Sequence, residues 1–294
     1  MKAKESWYLP YLLILPSFLF VLVFTLYPTF SSLAESLFLH RLNIPKYRTP
    51  QFYGLGNYID LFKSADFREI MGNTLLYVII LVPASVTAAF FLALWLRKKQ
   101  FSSLRIAVFY PTLLPAVSAA TIWLFLLTPD YGLFNRLLNL FGYNGPENWV
   151  GNPGLALPSL ILMAFWKDTG FYMIYFLAGL MSMPKDVFEA LVLEGAKPLT
   201  VLFKFILPLL RRTTLFVTTV AVIGAFRMVD HVFIMTSGGP GNKSSLLLYH
   251  LWQMRFERLN LGQSAAITII LILLLLAFTI SNFLFSERGG REND

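Results

Sequence analysis

Residues 182–210 read SMPKDVFEALVLEGAKPLTVLFKFILPLL, a cationic and partly polar stretch set between two long apolar runs. Its mixed character is wrong for crossing a bilayer, which asks for about 20 predominantly apolar residues. Ser182 and Pro184 signal a helix start, Glu189 and Glu194 take the polar side, and Phe188, Leu191, Val192 and Gly195 share one face at helical spacing. Gly195 ends that helix. Lys197 and Pro198 open a second short one, with Val201, Leu202, Phe205 and Leu209 three or four residues apart. The stretch predicts a compact helix-turn-helix knob beside a membrane.

The rest of the chain supplies the membrane part. Of 294 residues, 56% are hydrophobic and only 14% charged, and the mean hydropathy is +0.63. That balance is too apolar for a soluble domain of this size. The net charge of +8 does not indicate nucleic acid, because the basic residues are strung along short loops without a patch of interleaved stacking aromatics. Cysteine is absent, which removes disulfides, thiolate metal sites and cysteine nucleophiles together. The three histidines, His40, His231 and His250, include no pair at metal-ligand spacing. No G-x-S-x-G, no H-E-x-x-H and no convergent carboxylate pair is present, so an enzyme is not indicated.

Six apolar runs are expected to span the membrane: about Leu9–Phe30, Asn73–Leu96, Ile106–Leu127, Leu155–Met181, Thr213–Met235 and Ala265–Phe285. The first lacks a signal-peptide cleavage pattern and is expected to be retained. Its prolines, Pro10, Pro16 and Pro28, are tolerable because neighbouring helices re-satisfy freed backbone groups. Lys2, Lys4, Arg97, Lys98, Lys99, Arg105, Lys185, Lys197, Lys204, Arg211, Arg212, Arg288 and Arg291 crowd short segments on one side. Arg41, Lys46, Arg48, Lys63, Arg68, Arg136, Lys243, Arg255 and Arg258 are spread over longer loops on the other. The positive-inside bias places both termini and the knob in the cytoplasm. The expected fold is an all-α, multi-pass protein of the cell (inner) membrane with six transmembrane helices and a cytoplasmic loop between the fourth and fifth.

A motor is missing. The nearest imitation of a phosphate-binding loop, Gly238-Gly239-Pro240-Gly241-Asn242-Lys243-Ser244, has Asn242 at the required glycine and Pro240 where a donor is needed, with no strand before it.

Three segments together carry a resemblance. Glu189-Ala190, Gly195 and Leu207-Pro208 keep the spacing of the EAA loop of binding-protein-dependent ABC importer permeases. Leu191 and Phe205 depart from its usual alanine and isoleucine but stay apolar. Gly54-Leu55-Gly56-Asn57-Tyr58, followed by Leu61-Phe62 and Asn73-Thr74, resembles the extracytoplasmic segment of the sugar-type members. Thr236-Ser237-Gly238-Gly239-Pro240, with Tyr249, Phe256, Gly262 and Ser264-Ala265-Ala266, is similar to the region between the last two spans of permeases for sugars and glycerol phosphate.

That resemblance implies a domain plan. Residues 1–30 form the N-terminal cytoplasmic tail and first transmembrane helix, and 31–72 an extracytoplasmic loop. Residues 73–285 form the permease core of five transmembrane helices, 182–210 the cytoplasmic EAA coupling loop, and 286–294 a cytoplasmic tail. It implies further that Pro184, Asp186, Glu189, Ala190, Leu191, Glu194, Gly195 and Pro208 couple the chain to the ATPase, with Glu189 a mechanical contact on the coupling helix. This chain would bind no cofactor and no metal, ATP and Mg being bound by two partner ATP-binding cassette subunits. The other implied partners are a second homologous permease subunit, usually a different one, an extracytoplasmic solute-binding protein, a small-molecule substrate and the lipid bilayer.

Ionisable residues inside spans are costly and point to function or to pairing within the bundle. Lys167, Asp168, Arg227 and Asp230 are such residues, the last two sharing one face of the fifth span. They read equally as internal ion pairs or as part of a substrate path. The resemblance carries candidate substrate contacts to Lys167, Asp168 and Phe171 and to Gly224, Ala225 and Met228. Trp123, Trp166 and Tyr172 are aromatic platforms for a sugar ring or else core packing. Two readings from other classes stay open. One is a secondary carrier driven by an ion gradient, with the four charges as a relay; it expects inverted repeats, and none is evident. The other is a scaffold without transport.

Overall fold

The computed structural model describes residues 9–143, 147–183 and 197–288. Among the described residues, four helices are long and apolar enough to cross a membrane: Tyr11–Glu35, Ala65–Leu96, Ala156–Met181 and Leu261–Asn282. Two further runs are bent pairs. Ser102–Leu113 and Ala116–Leu126 meet at 101°, and Pro198–Leu209 and Arg211–Phe226 at 68°. The expectation of a continuous third span is therefore corrected to a broken one. Leu114 and Pro115 at the break are extended, because Pro115 has no amide hydrogen to continue the ladder and biases Leu114 away from helix.

Several boundaries also move. The helix expected from Asn73 already begins at Ala65, and the last one begins at Leu261. The expected loop 31–72 contains a helix, Gly56–Lys63, and a short antiparallel pair, Phe38–Leu39 with Gln51–Phe52.

The chain divides into two compact units, one of Met1–Ser64 with Leu251–Ile272 and the other of Ala65–His250 with Leu273–Asp294. In the first unit, the segment after the first helix is tied to the segment before the last. Arg41 bridges Asn260, and the Leu261 amide donates to the His40 carbonyl at 2.9 Å. Asn57, fully buried, donates through Nδ2 to the Ser36 and Phe38 carbonyls at 2.9 and 2.8 Å. Tyr58 donates to Ser36 Oγ at 2.8 Å. Gly262 is required because a Cβ there would lie 2.2 Å from the Phe38 carbonyl oxygen. Glu35 pairs with both His40 (3.0 Å) and Arg255 (3.1 Å).

In the second unit, Ala65–Leu96 packs against Ala156–Met181 and Arg211–Phe226, and Ala156–Met181 against Ser102–Leu113. Lipid is as apolar as leucine, so these helices are held by close packing and polar ties, without a hydrophobic drive between them. Small residues permit the approach: Ala89, Ala93 and Ala164 are fully buried. Asn282 adds a polar tie, donating to Thr219 Oγ1 and, at 3.2 Å, to the Leu215 carbonyl.

Candidate translocation site

Most of the expected coupling residues, Pro184, Asp186, Glu189, Ala190, Leu191, Glu194 and Gly195, lie outside the described residues. The segment from Lys197 onward is described. Lys197 is extended, Pro198 takes the first helical position, and a π-helical turn at Leu202–Ile206 leads into Leu207–Leu209. Pro208 sits on the exposed side of this segment, just before the 68° bend into Arg211–Phe226. The expected second short helix is thus present, but with a π turn that widens it over Phe203 and Phe205.

The third long helix, Ala156–Met181, brings the Lys167–Asp168 pair and the aromatic candidates to one place. Lys167 Nζ is 3.9 Å from Asp168 Oδ1, with side chains 12% and 18% exposed. Thr112 Oγ1 donates to the Lys167 carbonyl at 3.0 Å, and Gly170 lets the backbone at Val108 approach until a Cβ would meet its carbonyl oxygen at 2.1 Å. Tyr172 follows Asp168 by one helical turn on the same helix. Tyr172 faces Gly224, whose hypothetical Cβ would stand 3.4 Å from the phenol oxygen. Ala225 beside it is buried and Met228 half-buried. Phe171 lies edge-on to Tyr175 at 5.0 Å, and Tyr175 in turn to Phe216 at 5.2 Å.

Trp123 takes a different place. It is buried, with Phe134 at 5.5 Å and Trp166 at 5.8 Å, so its ring serves packing and offers no open platform. Arg227 and Asp230 do not share a helical face. The helix stops at Phe226, Arg227 caps it, and Asp230 opens a separate short helix, Asp230–Met235, that packs on Ala116–Leu126. Both charged residues are exposed on the chain. An interrupted, charged backbone inside an apolar run is tolerated where it borders water or another protein.

Sequence reasoning missed the Tyr77–His231 pair, whose hydroxyl and Nε2 lie 3.1 Å apart in full burial. No local signal joins residues so distant along the chain. Tyr175 was findable, since it follows Phe171 by one helical turn. Among the described residues no group of three or more His, Cys, Asp or Glu could hold a metal ion.

The segment Thr236–Ser244 is a closed turn. Ser244 Oγ donates to Thr236 Oγ1 at 2.7 Å, Asn73 Nδ2 donates to the Asn242 carbonyl at 2.8 Å, and Thr74 Oγ1 accepts from the Leu247 amide at 2.8 Å. Lys243 pairs with Glu69 at 2.7 Å. Ser244 is thereby tied within the loop and Asn242 and Lys243 to the Ala65–Leu96 helix, with a helix and no strand before the loop.

Residues 82–289 match the model of the binding-protein-dependent transport system inner membrane component, and the chain belongs to that family. The sn-glycerol-3-phosphate transport system permease protein UgpA of Yersinia pestis is 33% identical over 294 residues, covering 97% of this chain and 96% of that protein. The probable ABC transporter permease protein YurN of Bacillus subtilis (strain 168) is 27% identical over 289 residues, covering 97% and 98%. A crystal structure of a bacterial ABC transporter involved in the import of the acidic polysaccharide alginate shares the fold, with a TM-score of 0.83 at 19% identity over 96% of both chains. The resemblance drawn from three short segments is borne out over nearly the whole chain. It is a multi-pass ABC permease of the membrane.

Proposed function

We propose that this chain is the transmembrane subunit of an ATP-driven importer and forms the translocation path for a carbohydrate or a related polyol or glycerol phosphate. The observation that carries the reading is the cluster of polar and aromatic side chains Lys167, Asp168, Phe171 and Tyr172, set in an apolar bundle with the interrupted helix at Arg227–Asp230. Hydroxyl-rich solutes need hydrogen-bonding side chains and aromatic faces, and a phosphate needs a cation; this region holds all three kinds. Similarity to permeases named for sn-glycerol-3-phosphate supports the solute class.

Six membrane crossings result if each bent pair counts as one, with both termini in the cytoplasm. The chain itself binds no cofactor. ATP and Mg belong to two ATPase subunits, which grip the coupling segment Pro184–Gly195, and a solute-binding protein delivers the substrate from outside. A second, homologous permease completes the path and covers the exposed Arg227 and Asp230. Their exposure at a helix break favours this arrangement over an ion relay, which needs the four charges within reach of one another.

The test is purification of the tagged chain in mild detergent from its native host, with mass spectrometry of what accompanies it, repeated for Gly195→Asp. Recovery of an ATPase and a second permease, with the ATPase lost in the variant, is the expected result. Recovery of the chain alone, active in gradient-driven uptake without ATP, would overturn it.

A further inference from the structure

At the elbow between Pro198–Leu209 and Arg211–Phe226 there is a cavity of about 230 Å³. Its walls come from three helices and the π turn, including Phe90, Phe91, Phe176, Phe203, Leu207 and Thr214. Phe90 and Phe176 form its floor, packed edge-on at 5.6 Å and buried. Phe91 and Phe203 are 53% and 63% exposed and stand at its mouth. The lining is almost wholly apolar, so water gains little there. An apolar cavity of roughly 150 Å³ stays dry and accepts a benzene-sized hydrocarbon, and this one is larger.

What fills it is decided by the surroundings. Phe91 at its mouth belongs to the Ala65–Leu96 membrane-spanning helix, so a lipid acyl chain is an apolar partner within reach of it. The same short segment that lines it carries exposed cations: Lys204 lies in the π turn between Phe203 and Phe205, and Arg211 and Arg212 come next at the bend. Basic residues beside a gap between transmembrane helices suit an anionic lipid headgroup. Thr87 and Thr214 are the two hydroxyl side chains among its lining residues, too few to replace the water around a hydroxyl-rich sugar.

We propose that this cavity is a binding site for an anionic glycerophospholipid, its acyl chain seated between Phe90, Phe91, Phe176 and Phe203 and its phosphate held near Lys204. A chain lodged there props the 68° elbow, through which the segment after the coupling loop joins the fifth helix. The site is separate from the solute path, so the proposal stands or falls independently of the solute reading.

The test uses the chain, with whatever partners copurify, in nanodiscs of phosphatidylcholine carrying a trace of phosphatidylglycerol with a photoactivatable acyl chain, compared with the same label on phosphatidylcholine. The glycerol lipid is expected to label peptides holding Phe91 and Phe203 about five-fold more than the choline lipid, the preference that one lysine at the membrane surface confers. Lys204→Gln should remove that preference. Val86→Phe and Thr87→Phe, which project new bulk from lining positions, should cut labelling by both lipids while leaving the Tyr11–Glu35 helix labelled as before. Equal labelling by both lipids, or full labelling in both filling variants, overturns the proposal. So does label at this site that appears only on a copurified permease, which would make the cavity a protein seat.

Discussion

Gly170→Ala tests the helix crossing that positions the Lys167–Asp168 pair. The added methyl would lie 2.1 Å from the Val108 carbonyl oxygen and 2.9 Å from Phe109 Cα. Both are backbone atoms that no rotamer change can move. Ordinary contact lies beyond about 3.4 Å, so the Ser102–Leu113 and Ala156–Met181 helices must part by about 1 Å. Overpacking of this kind costs about 1–3 kcal/mol, while alanine regains about 1 kcal/mol of helix propensity over glycine. The net is a loss of up to about 2 kcal/mol.

Separation also stretches the 3.0 Å bond from Thr112 to the Lys167 carbonyl, shifting the pair and reducing uptake. Gly72→Ala is the control. Its Cβ meets nothing within 4 Å on the Ala65–Leu96 helix, so the propensity gain stands alone at about 0.5–1 kcal/mol. The assay is the midpoint of heat-induced loss of monodisperse protein in detergent, monitored by a fluorescent fusion, with uptake measured in the same cells. The expected order of midpoints is Gly72→Ala above wild type and wild type above Gly170→Ala. A Gly170→Ala protein as stable as Gly72→Ala would refute the close crossing.

Two further outcomes are expected. Removing one member of the Lys167–Asp168 pair leaves a half-buried charge unmatched, at roughly 1–2 kcal/mol, less than the 3–5 of a fully buried pair because the separation is 3.9 Å and both side chains keep some exposure. Lys167→Met should therefore melt lower than the Lys167→Met/Asp168→Asn double variant, and the reverse order would show the two charges acting apart. In the loop before the Ala156–Met181 helix, Tyr143 donates to Glu147 Oε2 at 2.6 Å and Asn152 Nδ2 donates to Oε1 at 3.0 Å. These bonds hold the Glu147 carboxyl below the usual carboxylate range. A depressed folded pKa means stabilisation that is present above the unfolded value of about 4.3 and is lost as pH falls through the folded value. Tyr143→Phe should melt below wild type at neutral pH, with the gap closing under acid conditions. A gap independent of pH would assign the effect to packing.

Much of the fold was legible in the sequence because bilayer residence is a local property. A run such as Leu155–Met181 is long enough and apolar enough to declare itself, and the observed helix, Ala156–Met181, starts one residue later. The turn and loop residues that carried the family resemblance were legible for a similar reason. Asn57, Gly262, Asn73 and Thr74 each satisfy or clear a particular backbone group. Such positions accept few other residues, so they remain recognisable as a pattern.

The candidate site was legible only in part. Lys167 and Asp168 stood out as ionisable residues inside an apolar run and Phe171 through the family resemblance, and one helix, Ala156–Met181, carries them all. Arg227 and Asp230 were misplaced because a spacing of three implies a shared face only while the helix continues. The helix ends at Phe226, and the next short helix packs on Ala116–Leu126, a neighbour chosen by tertiary packing. Composition and hydropathic runs determined that the chain lives in a membrane and roughly where it crosses. Only the tertiary structure decided which helices touch, as at Gly170 against Val108 and Tyr77 against His231. Such contacts join residues far apart along the chain, where no local periodicity records which surfaces meet.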